Sequence, residues 1–292
     1  MQLQLDCKVN TMLEDHIDIL LEQCIHFSAF FGGLSPEEVA SFRERALAIE
    51  KSSRNKGERL MREHRAACVA LRSAAVMVPS IAYKYASMPN DWRAYIKSEE
   101  RKQKVFTKSK KTLVAWARSL PKSVHMTRVY GGLKPLASLD AKLGRTKTSG
   151  DAVDRRTFDT RDVVRFRVVF SDPCSLVLGA VFFWRKFFEQ ILYCHNYYWD
   201  VKENGRKSPY KGVHFQTAVS AQYPVEIQFI TDARDIAGFF DYPFSFKQLA
   251  SLKDDVHRVW LDAFRMKANI RDLSLMIDRN EREDFSKFMF GQ

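Results

Sequence analysis

Cysteines are few in this sequence, and their spacing lacks the patterns of disulfide-rich or zinc-binding proteins. The five cysteines are odd in number, widely spread and contain no C-x-x-C pair. Neither a disulfide framework nor a zinc site is therefore expected. Because free thiols persist in a reducing environment, the composition favours a cytoplasmic protein.

Long apolar runs are also lacking. No run reaches the roughly 18 residues that a membrane-spanning helix needs. The first residues include the acids Asp6, Glu14, Asp15 and Asp18, whereas a secretory signal peptide begins with basic residues. We therefore expect no membrane partner and no export by that route.

Hydrophobic residues, in contrast, are plentiful. The chain has 292 residues, of which 46% are hydrophobic, and 22 of them are Phe. A chain of this length and composition can bury a sizeable core as one or two domains. The composition is therefore not that of a globally disordered protein.

Positive charge is concentrated in one quarter of the chain. Between Lys97 and Phe170 there are 19 Lys and Arg against 7 Asp and Glu, a surplus of 12 that equals the net charge of the whole chain. A localised basic block attracts polyphosphates or a nucleic-acid backbone. For Lys97–Lys122 taken alone, a basic helix that is simply exposed to solvent explains the charge as well as phosphate binding does.

The first part of the chain, residues 1–122, has the pattern of a mainly α-helical region. Ser35 and Pro36 form a helix start, with a capping side chain followed by proline at the first position. One long amphipathic helix is expected from there, weakened at Gly57 and ended by Pro79, and a second from Ser98 to Leu120.

Short β-prone runs dominate residues 123–245, which predicts an α/β or α+β domain. The runs are Val124–Tyr130, Val163–Phe170, His195–Val201, Val213–Ser220 and Val225–Thr231, with a helix-like stretch over Leu176–Leu192. Residues 246–292 return to helical periodicity and are expected to pack on the sheet. Residues 144–161 are the best candidate for a mobile loop.

Three motifs carry polar chemistry. In the first, Lys134, Ser138 and Lys142 recur every four residues after Gly131, Gly132 and a helix-starting Pro135, which places them along one face of a predicted helix. Two cations and a hydroxyl near a helix N-terminus suit a polyphosphate. A solvated helix face is the common alternative.

The second motif places Asp162 before a strand that carries Arg165 and Arg167 on one face. Arginines on a buried strand face need anionic or aromatic partners. The alternative is an edge strand whose arginines are exposed to solvent. Asp162 precedes Arg167 by five positions, so a regular strand would separate the two. Either the strand begins irregularly at Asp162 or the two residues do not act together.

The third motif combines Tyr210, His214, Glu226 and Gln228. Glu226 and Gln228 share one face of a strand whose other face is Val225, Ile227 and Phe229. A Glu in so apolar a strand requires a partner, and a metal ion shared with Asp162 would supply one. Tyr210 and His214 share a strand face if their segment is extended, which would give a flat stacking surface beside a hydrogen-bond donor.

In their joint order these motifs resemble the synthetase domain of RelA/SpoT alarmone enzymes and their small single-domain and toxin relatives. The resemblance covers roughly Val124 to Asp241 at four ordered sites. It implies an α+β fold with a nucleotidyltransferase-like mixed sheet, preceded by a mainly α-helical region and followed by C-terminal helices. It also implies an ATP-dependent and Mg²⁺-dependent diphosphokinase.

The resemblance assigns roles to individual residues. By that resemblance ATP is bound by Lys134, Ser138, Lys142 and Arg167, with Arg128 and Arg165 as further candidates. Asp162 and Glu226 would be the catalytic acids and Mg²⁺ ligands, with Glu226 binding metal or taking the proton of the acceptor hydroxyl. The acceptor would meet Tyr210, Lys211, His214 and Gln228.

The sequence departs from the family at two motifs and lacks a third. Gly132 stands where the family usually has an Arg that stacks on adenine, so Arg128, Tyr130 or Arg165 would have to replace it. Lys211 lies inside the acceptor motif, which suits a more anionic acceptor. The hydrolase domain of the long bifunctional relatives needs a His-Asp dyad. No His-Asp dipeptide occurs in this sequence, so hydrolysis of alarmones is not expected.

Three functions remain open on the sequence alone. The acceptor is GDP, GTP or an adenine nucleotide, which gives an alarmone, or it is the 3′-terminal adenosine of tRNA, as in toxic members that block translation and have an antitoxin partner. The basic helix over 97–122 would then grip the tRNA backbone. A catalytically silent RNA-binding or partner-binding module is the third reading, for which Gly132 is the main argument.

Overall fold

A computed structural model describes residues 17, 35–78, 91–134, 139, 162–198, 210–218, 223–245 and 255–282. Seven α-helices and five strands lie in these ranges. In chain order they are α1 Pro36–Glu50, α2 Glu58–Ala74, α3 Trp92–Lys97, α4 Glu99–Arg118, β1 Met126–Leu133, β2 Val164–Phe170, α5 Pro173–Phe187, β3 Ile191–Asn196, β4 Val213–Thr217, β5 Val225–Thr231, α6 Asp232–Ser245 and α7 Asp255–Arg282. The predicted α+β class is confirmed.

The chain divides into two compact units, residues 72–231 and residues 1–71 together with 232–292. In the second of these, α1, α6 and α7 pack around a buried cluster that includes Phe42, Ile236, Phe240 and Phe264. The first contains all five strands.

Local capping interactions explain where several helices begin. At Ser35 the side chain accepts a hydrogen bond from the Glu38 N–H, and the Glu38 carboxylate accepts one from the Ser35 N–H at 2.8 Å. This reciprocal pair satisfies two backbone donors that a helix start leaves open. Asp172 caps α5 with a one-way interaction, in which its carboxylate accepts a hydrogen bond from the Ser175 N–H at 2.9 Å.

The single long helix expected after Ser35 is wrong, because the structure has two helices there. α1 ends at Glu50 and α2 begins at Glu58, just after Gly57. Gly57 has φ = +57°, a left-handed conformation that glycine adopts without the steric cost of a Cβ. The glycine therefore separates two helices instead of weakening the middle of one.

The five strands form one mixed sheet in the order β1-β2-β5-β4-β3. β2 and β5 are parallel, and the other neighbouring pairs are antiparallel. The predicted strands over Val163–Phe170 and Val225–Thr231 are confirmed almost residue for residue. The strand expected over His195–Val201 begins earlier, at Ile191, since α5 ends at Phe187.

β1 is longer than expected and runs through Gly131 and Gly132. A Cβ on Gly131 would lie 2.2 Å from the carbonyl oxygen of Arg165, so this position needs glycine for the two backbones to approach. None of the described helices is long and apolar enough to cross a membrane.

Candidate active site

The sheet has one apolar face, which two helices cover. Phe106 of α4 stacks on Phe166 of β2 with ring centroids 5.1 Å apart, and Phe183 of α5 contacts Phe229 of β5 at 5.3 Å. Successive residues of a strand point to opposite faces. The residues that alternate with Phe166 along β2 and with Phe229 along β5 therefore point away from both helices. They form a second surface, which we call the polar face.

Two rows of side chains cross the polar face. Residues paired in register on adjacent strands lie about 5 Å apart, so each row is a continuous line. The His214 row is Tyr130, Arg167, Gln228, His214 and His195; the Glu226 row is Gly132, Arg165, Glu226, Gln216 and Tyr193. The sheet thus brings together five of the predicted site residues, Arg165, Arg167, His214, Glu226 and Gln228.

An ion pair joins the end of β1 to the residues just before β2. The Nζ atom of Lys134 lies 2.5 Å from Oδ2 of Asp162, and both side chains are largely buried. The backbone N–H of Lys134 also donates to the Val163 carbonyl at 2.8 Å. Asp162 lies in a turn, since β2 begins at Val164. A cation and a carboxylate are therefore fixed together two residues beyond Gly132.

Arg167 is held between two strands in the His214 row. Its Nε donates to Oε1 of Gln228 at 3.1 Å, and its Nη1 donates to the hydroxyl of Tyr130 at 3.1 Å. The guanidinium of Arg128 lies 5.3 Å from the centroid of the Tyr130 ring, within cation–π range. Two guanidinium groups and one exposed aromatic ring therefore stand side by side on β1 and β2.

Glu226 is a largely buried carboxylate whose partners are side chains on β4 and β5. Its Oε1 lies 3.1 Å from Nδ1 of His214 and accepts a hydrogen bond from Nε2 of Gln228 at 3.2 Å. Burial opposes ionisation, but the hydrogen bond and charge of His214, the hydrogen bond from Gln228 and the charge of Arg165 outweigh it. Together they lower the pKa of Glu226 to about 2.

Tyr210 extends this network, because its hydroxyl lies 2.6 Å from Nε2 of His214. The two rings meet nearly edge to face, at an interplanar angle of 84°. The sequence motif led us to expect a flat stacking surface instead. The physical reason for the difference is that Tyr210 precedes β4, which begins at Val213, so the two residues are not on one regular strand.

Three further rings lie on the polar face beside His214, and the sequence reasoning missed them. Tyr193 and His195 lie on β3, and Tyr197 follows it. The His195 and Tyr197 centroids are 4.2 Å apart, and Tyr197 contacts His214 at 4.7 Å and Tyr210 at 5.1 Å. The i, i+2, i+4 spacing of these residues was the available signal, but the predicted strand began too late to include Tyr193.

Three other predicted site residues are placed differently or not described. Lys211 is completely buried, and its ammonium donates to the Tyr197 carbonyl at 3.2 Å. In this arrangement the Lys211 side chain supports the backbone at Tyr197. It is not exposed on the surface where an acceptor substrate would bind. Ser138 and Lys142 lie outside the described residues, as does the proposed mobile loop over 144–161.

The carboxylates of this site determine whether it can hold Mg²⁺. Carboxylate oxygens suit this ion, which is usually held by one or two carboxylates together with waters and substrate phosphates. Asp162 fits such a site, since its carboxylate already attracts one cation, Lys134. The described part of the chain has no cluster of three or more His, Cys, Asp or Glu that could hold a metal. An ion bound here would therefore depend on phosphate oxygens from the substrate.

Comparison with solved structures identifies the fold. A GTP pyrophosphokinase family protein from Streptococcus pneumoniae matches with a TM-score of 0.51 and 18% identity, over 68% of this chain and 97% of that chain. Small alarmone synthetase 1 from Bacillus subtilis matches with a TM-score of 0.50 and 16% identity, over 67% of this chain and all of that chain. The chain therefore has the fold of a RelA/SpoT-type synthetase domain. Neither protein-family models nor curated protein sequences give a match.

Proposed function

We propose that this protein transfers the β,γ-diphosphate of ATP to the 3′-hydroxyl of a purine nucleotide, in the manner of a (p)ppGpp or (p)ppApp synthetase. One observation carries the proposal. Two carboxylates with separate polar partners, Asp162 and Glu226, stand at the parallel strand pair β2 and β5. The fold that this chain shares with a GTP pyrophosphokinase family protein supports it.

The donor side of the site is assigned to β1 and β2. Lys134, with Ser138 and Lys142 beyond it, would bind the phosphates of ATP, because ammonium groups and a hydroxyl match phosphate oxygens. Arg128, Arg165 and Arg167 are the further cations on this side. The Tyr130 ring, 38% exposed and flanked by Arg128 and Arg167, is the surface on which the adenine base would stack. It takes the place of the arginine that is missing at Gly132.

The reaction needs positioning and charge stabilisation more than covalent catalysis. The acceptor 3′-oxygen bonds to the β-phosphorus of ATP, the bond from that phosphorus to the α,β-bridging oxygen breaks, and AMP leaves. Lys134 offsets charge on the transferring group. Glu226 accepts the hydrogen bond of the attacking hydroxyl, and its low pKa keeps it ionised. The proton is lost through this carboxylate to solvent.

Mg²⁺ would be held by Asp162 and by the phosphates of ATP. When bound, the ion neutralises charge on the β- and γ-phosphate oxygens. The expectation that Glu226 is a second ligand stays a prediction, and its contacts with His214 and Gln228 favour a role on the acceptor side.

The acceptor side is assigned to β4 and β5. Tyr210 and His214 would contact the acceptor base, and Gln228 lies between them and Arg167 in the His214 row. A second candidate acceptor, the 3′ end of tRNA, is favoured by one specific observation, the additional rings on β3. A single purine base has two faces, whereas five rings lie near this end of the sheet.

The proposal is tested by incubating purified protein with ATP labelled at the γ-phosphate, Mg²⁺ and separate pools of GDP, GTP, ADP, ATP and bulk tRNA. Label that appears on a nucleotide acceptor, together with AMP, supports the proposal. Label on tRNA alone selects the second candidate. If no pool is labelled, the protein is a catalytically silent binding module, and the proposal is overturned.

A further inference from the structure

We propose that Gln216 recognises the ribose of the acceptor nucleotide, through a hydrogen bond to the 2′-hydroxyl beside the reacting 3′-hydroxyl. This role rests on the proposed function, because it takes the 3′-hydroxyl to lie at Glu226. It makes Gln216 a determinant of sugar specificity, so that ribonucleotides are used in preference to 2′-deoxyribonucleotides.

Gln216 is the neighbour of Glu226 on the acceptor side of the sheet. The two residues are paired in register on the antiparallel strands β4 and β5, and both lie in the Glu226 row of the polar face. Side chains paired in this way have Cβ atoms about 5 Å apart. The other neighbour of Glu226 in the row is Arg165 of β2, which is assigned to ATP. Within the row, an acceptor bound at Glu226 therefore meets Gln216.

The side-chain amide of Gln216 has a hydrogen-bonding atom that the folded chain does not use. Its Oε1 atom is buried, and no residue in the part of the chain that the structure describes donates a hydrogen bond to it. The side chains of His214 and Gln228 are differently placed, since both already contact Oε1 of Glu226. A buried acceptor without a donor is unfavourable. A ligand hydroxyl that donates to this amide would remove that cost.

A ribose ring fits this pair of side chains, because its 2′- and 3′-hydroxyls stand on adjacent carbons. When the 3′-hydroxyl donates to Glu226, the 2′-hydroxyl is close enough to meet the amide of Gln216. The 2′-hydroxyl both donates and accepts hydrogen bonds. A glutamine amide turns easily about its last torsion and can present its oxygen or its nitrogen. Gln216 is only half-buried as a whole, so this rotation can bring the amide to the sugar.

Transfer to GDP and to 2′-deoxy-GDP, measured for the wild type and for Gln216→Met, tests the proposal. Methionine matches glutamine in length but cannot form the hydrogen bond. The wild type should prefer GDP by about 10-fold in kcat/KM, the usual effect of one hydrogen bond to a substrate hydroxyl. In Gln216→Met the preference should fall to within about 2-fold, because only transfer to GDP becomes slower. ADP and 2′-deoxy-ADP are measured alongside, so that the comparison holds for either purine.

The matched control is Gln103→Met. Gln103 is an exposed glutamine of α4, the helix that packs on the apolar face of the sheet through Phe106, so this variant should keep the wild-type preference. The 2′-hydroxyl also influences the reactivity of the 3′-hydroxyl, but that contribution would persist in Gln216→Met. A thermal melt of each variant shows whether it is folded.

A second measurement needs no variant. In 2′-fluoro-2′-deoxy-GDP the fluorine withdraws electrons as a hydroxyl does but cannot donate a hydrogen bond. The wild type should therefore use this analogue as poorly as 2′-deoxy-GDP.

Several results would overturn the role of Gln216: equal use of GDP and 2′-deoxy-GDP by the wild type, use of the 2′-fluoro analogue as readily as GDP, a preference that Gln216→Met retains, or one that Gln103→Met loses. Equal transfer to both sugars would leave the proposed function standing without the sugar contact.

Calorimetric binding of the same nucleotides in the absence of ATP separates the two claims in the other direction. If the wild type transfers no label but binds GDP or ADP more tightly than the 2′-deoxy form, and Gln216→Met loses that difference, the sugar contact stands and the proposed function fails. If none of the four nucleotides binds or is labelled, both fail.

Discussion

The Nδ1 atom of His214 lies 3.1 Å from Oε1 of Glu226, on the diagonal between β4 and β5. The other ring nitrogen of His214, Nε2, lies 2.6 Å from the hydroxyl of Tyr210. A residue assigned to the acceptor base is thereby linked through one imidazole to the acid at the centre of the site.

The lowered pKa of Glu226 predicts a pH-dependent loss of stability. A carboxylate with a pKa of 4.5 when unfolded and about 2 when folded stabilises the fold above about pH 4.5, and this stabilisation is lost as the pH falls towards 2. The stabilisation corresponds to about 3 kcal/mol near neutral pH.

Urea unfolding of the wild type and Glu226→Gln in EDTA checks this prediction. The difference in free energy of unfolding should be largest near pH 7 and should shrink below pH 4.5. The exposed Glu189 provides the control substitution, Glu189→Gln, which should be neutral. A difference that stays constant from pH 7 to pH 3 would contradict the assigned pKa.

The two acids should be required for transfer even in samples that remain folded. We expect Asp162→Asn and Glu226→Gln each to lose at least about 100-fold in transfer rate, because charge stabilisation of the transition state is worth several kcal/mol. Initial rates with labelled ATP, with thermal melts of the same samples, make the measurement. Near-wild-type transfer in both variants would show that the site lies elsewhere.

Substitutions on the two sides of the site should affect different substrates. Lys134→Ala should raise the apparent KM for ATP by about 10-fold and that for the acceptor much less, since its ammonium is assigned to the donor phosphates. Tyr210→Ala should show the opposite bias. Equal rises in both KM values for either variant would count against the division into donor and acceptor sides.

The exposed lysines of α4 test whether a tRNA acceptor contacts this helix. Lys108, Lys110 and Lys111 are exposed, and α4 packs on the apolar face of the sheet through Phe106, so they lie away from the polar face. If RNA extends from the site around the sheet to α4, changing all three to Ala should reduce transfer to tRNA and flatten its salt dependence. Transfer to GDP should stay within about 2-fold.

The exposed pair Arg185 and Lys186 on α5 gives the matched control. Changing these two residues to Ala removes positive charge without touching α4. A triple variant that labels tRNA as well as the wild type would leave the lysines of α4 as a solvated surface.

Local pattern was enough to predict some parts of the site. The alternation of Glu226 and Gln228 with Val225, Ile227 and Phe229 predicted β5 and its two faces, and the same reasoning placed Arg165 and Arg167 together. These predictions needed only the two-residue period of a strand.

Contacts between distant segments could not be predicted in that way. The strand order, with β5 between β2 and β4, decides that Glu226 meets His214, where a shared metal ion had been expected as its partner. Burial of Lys211 likewise depends on the path of the chain around Tyr197. Such pairings are set by tertiary packing, which no single segment encodes.

The products of the reaction provide the most direct test of the central claim. Wild-type protein with γ-labelled ATP, Mg²⁺ and acceptor should yield AMP and labelled acceptor in equal amounts, and Asp162→Asn should yield neither above background. Formation of ADP with labelled phosphate or with a singly phosphorylated acceptor, or no acceptor-dependent AMP with any acceptor, would contradict the account.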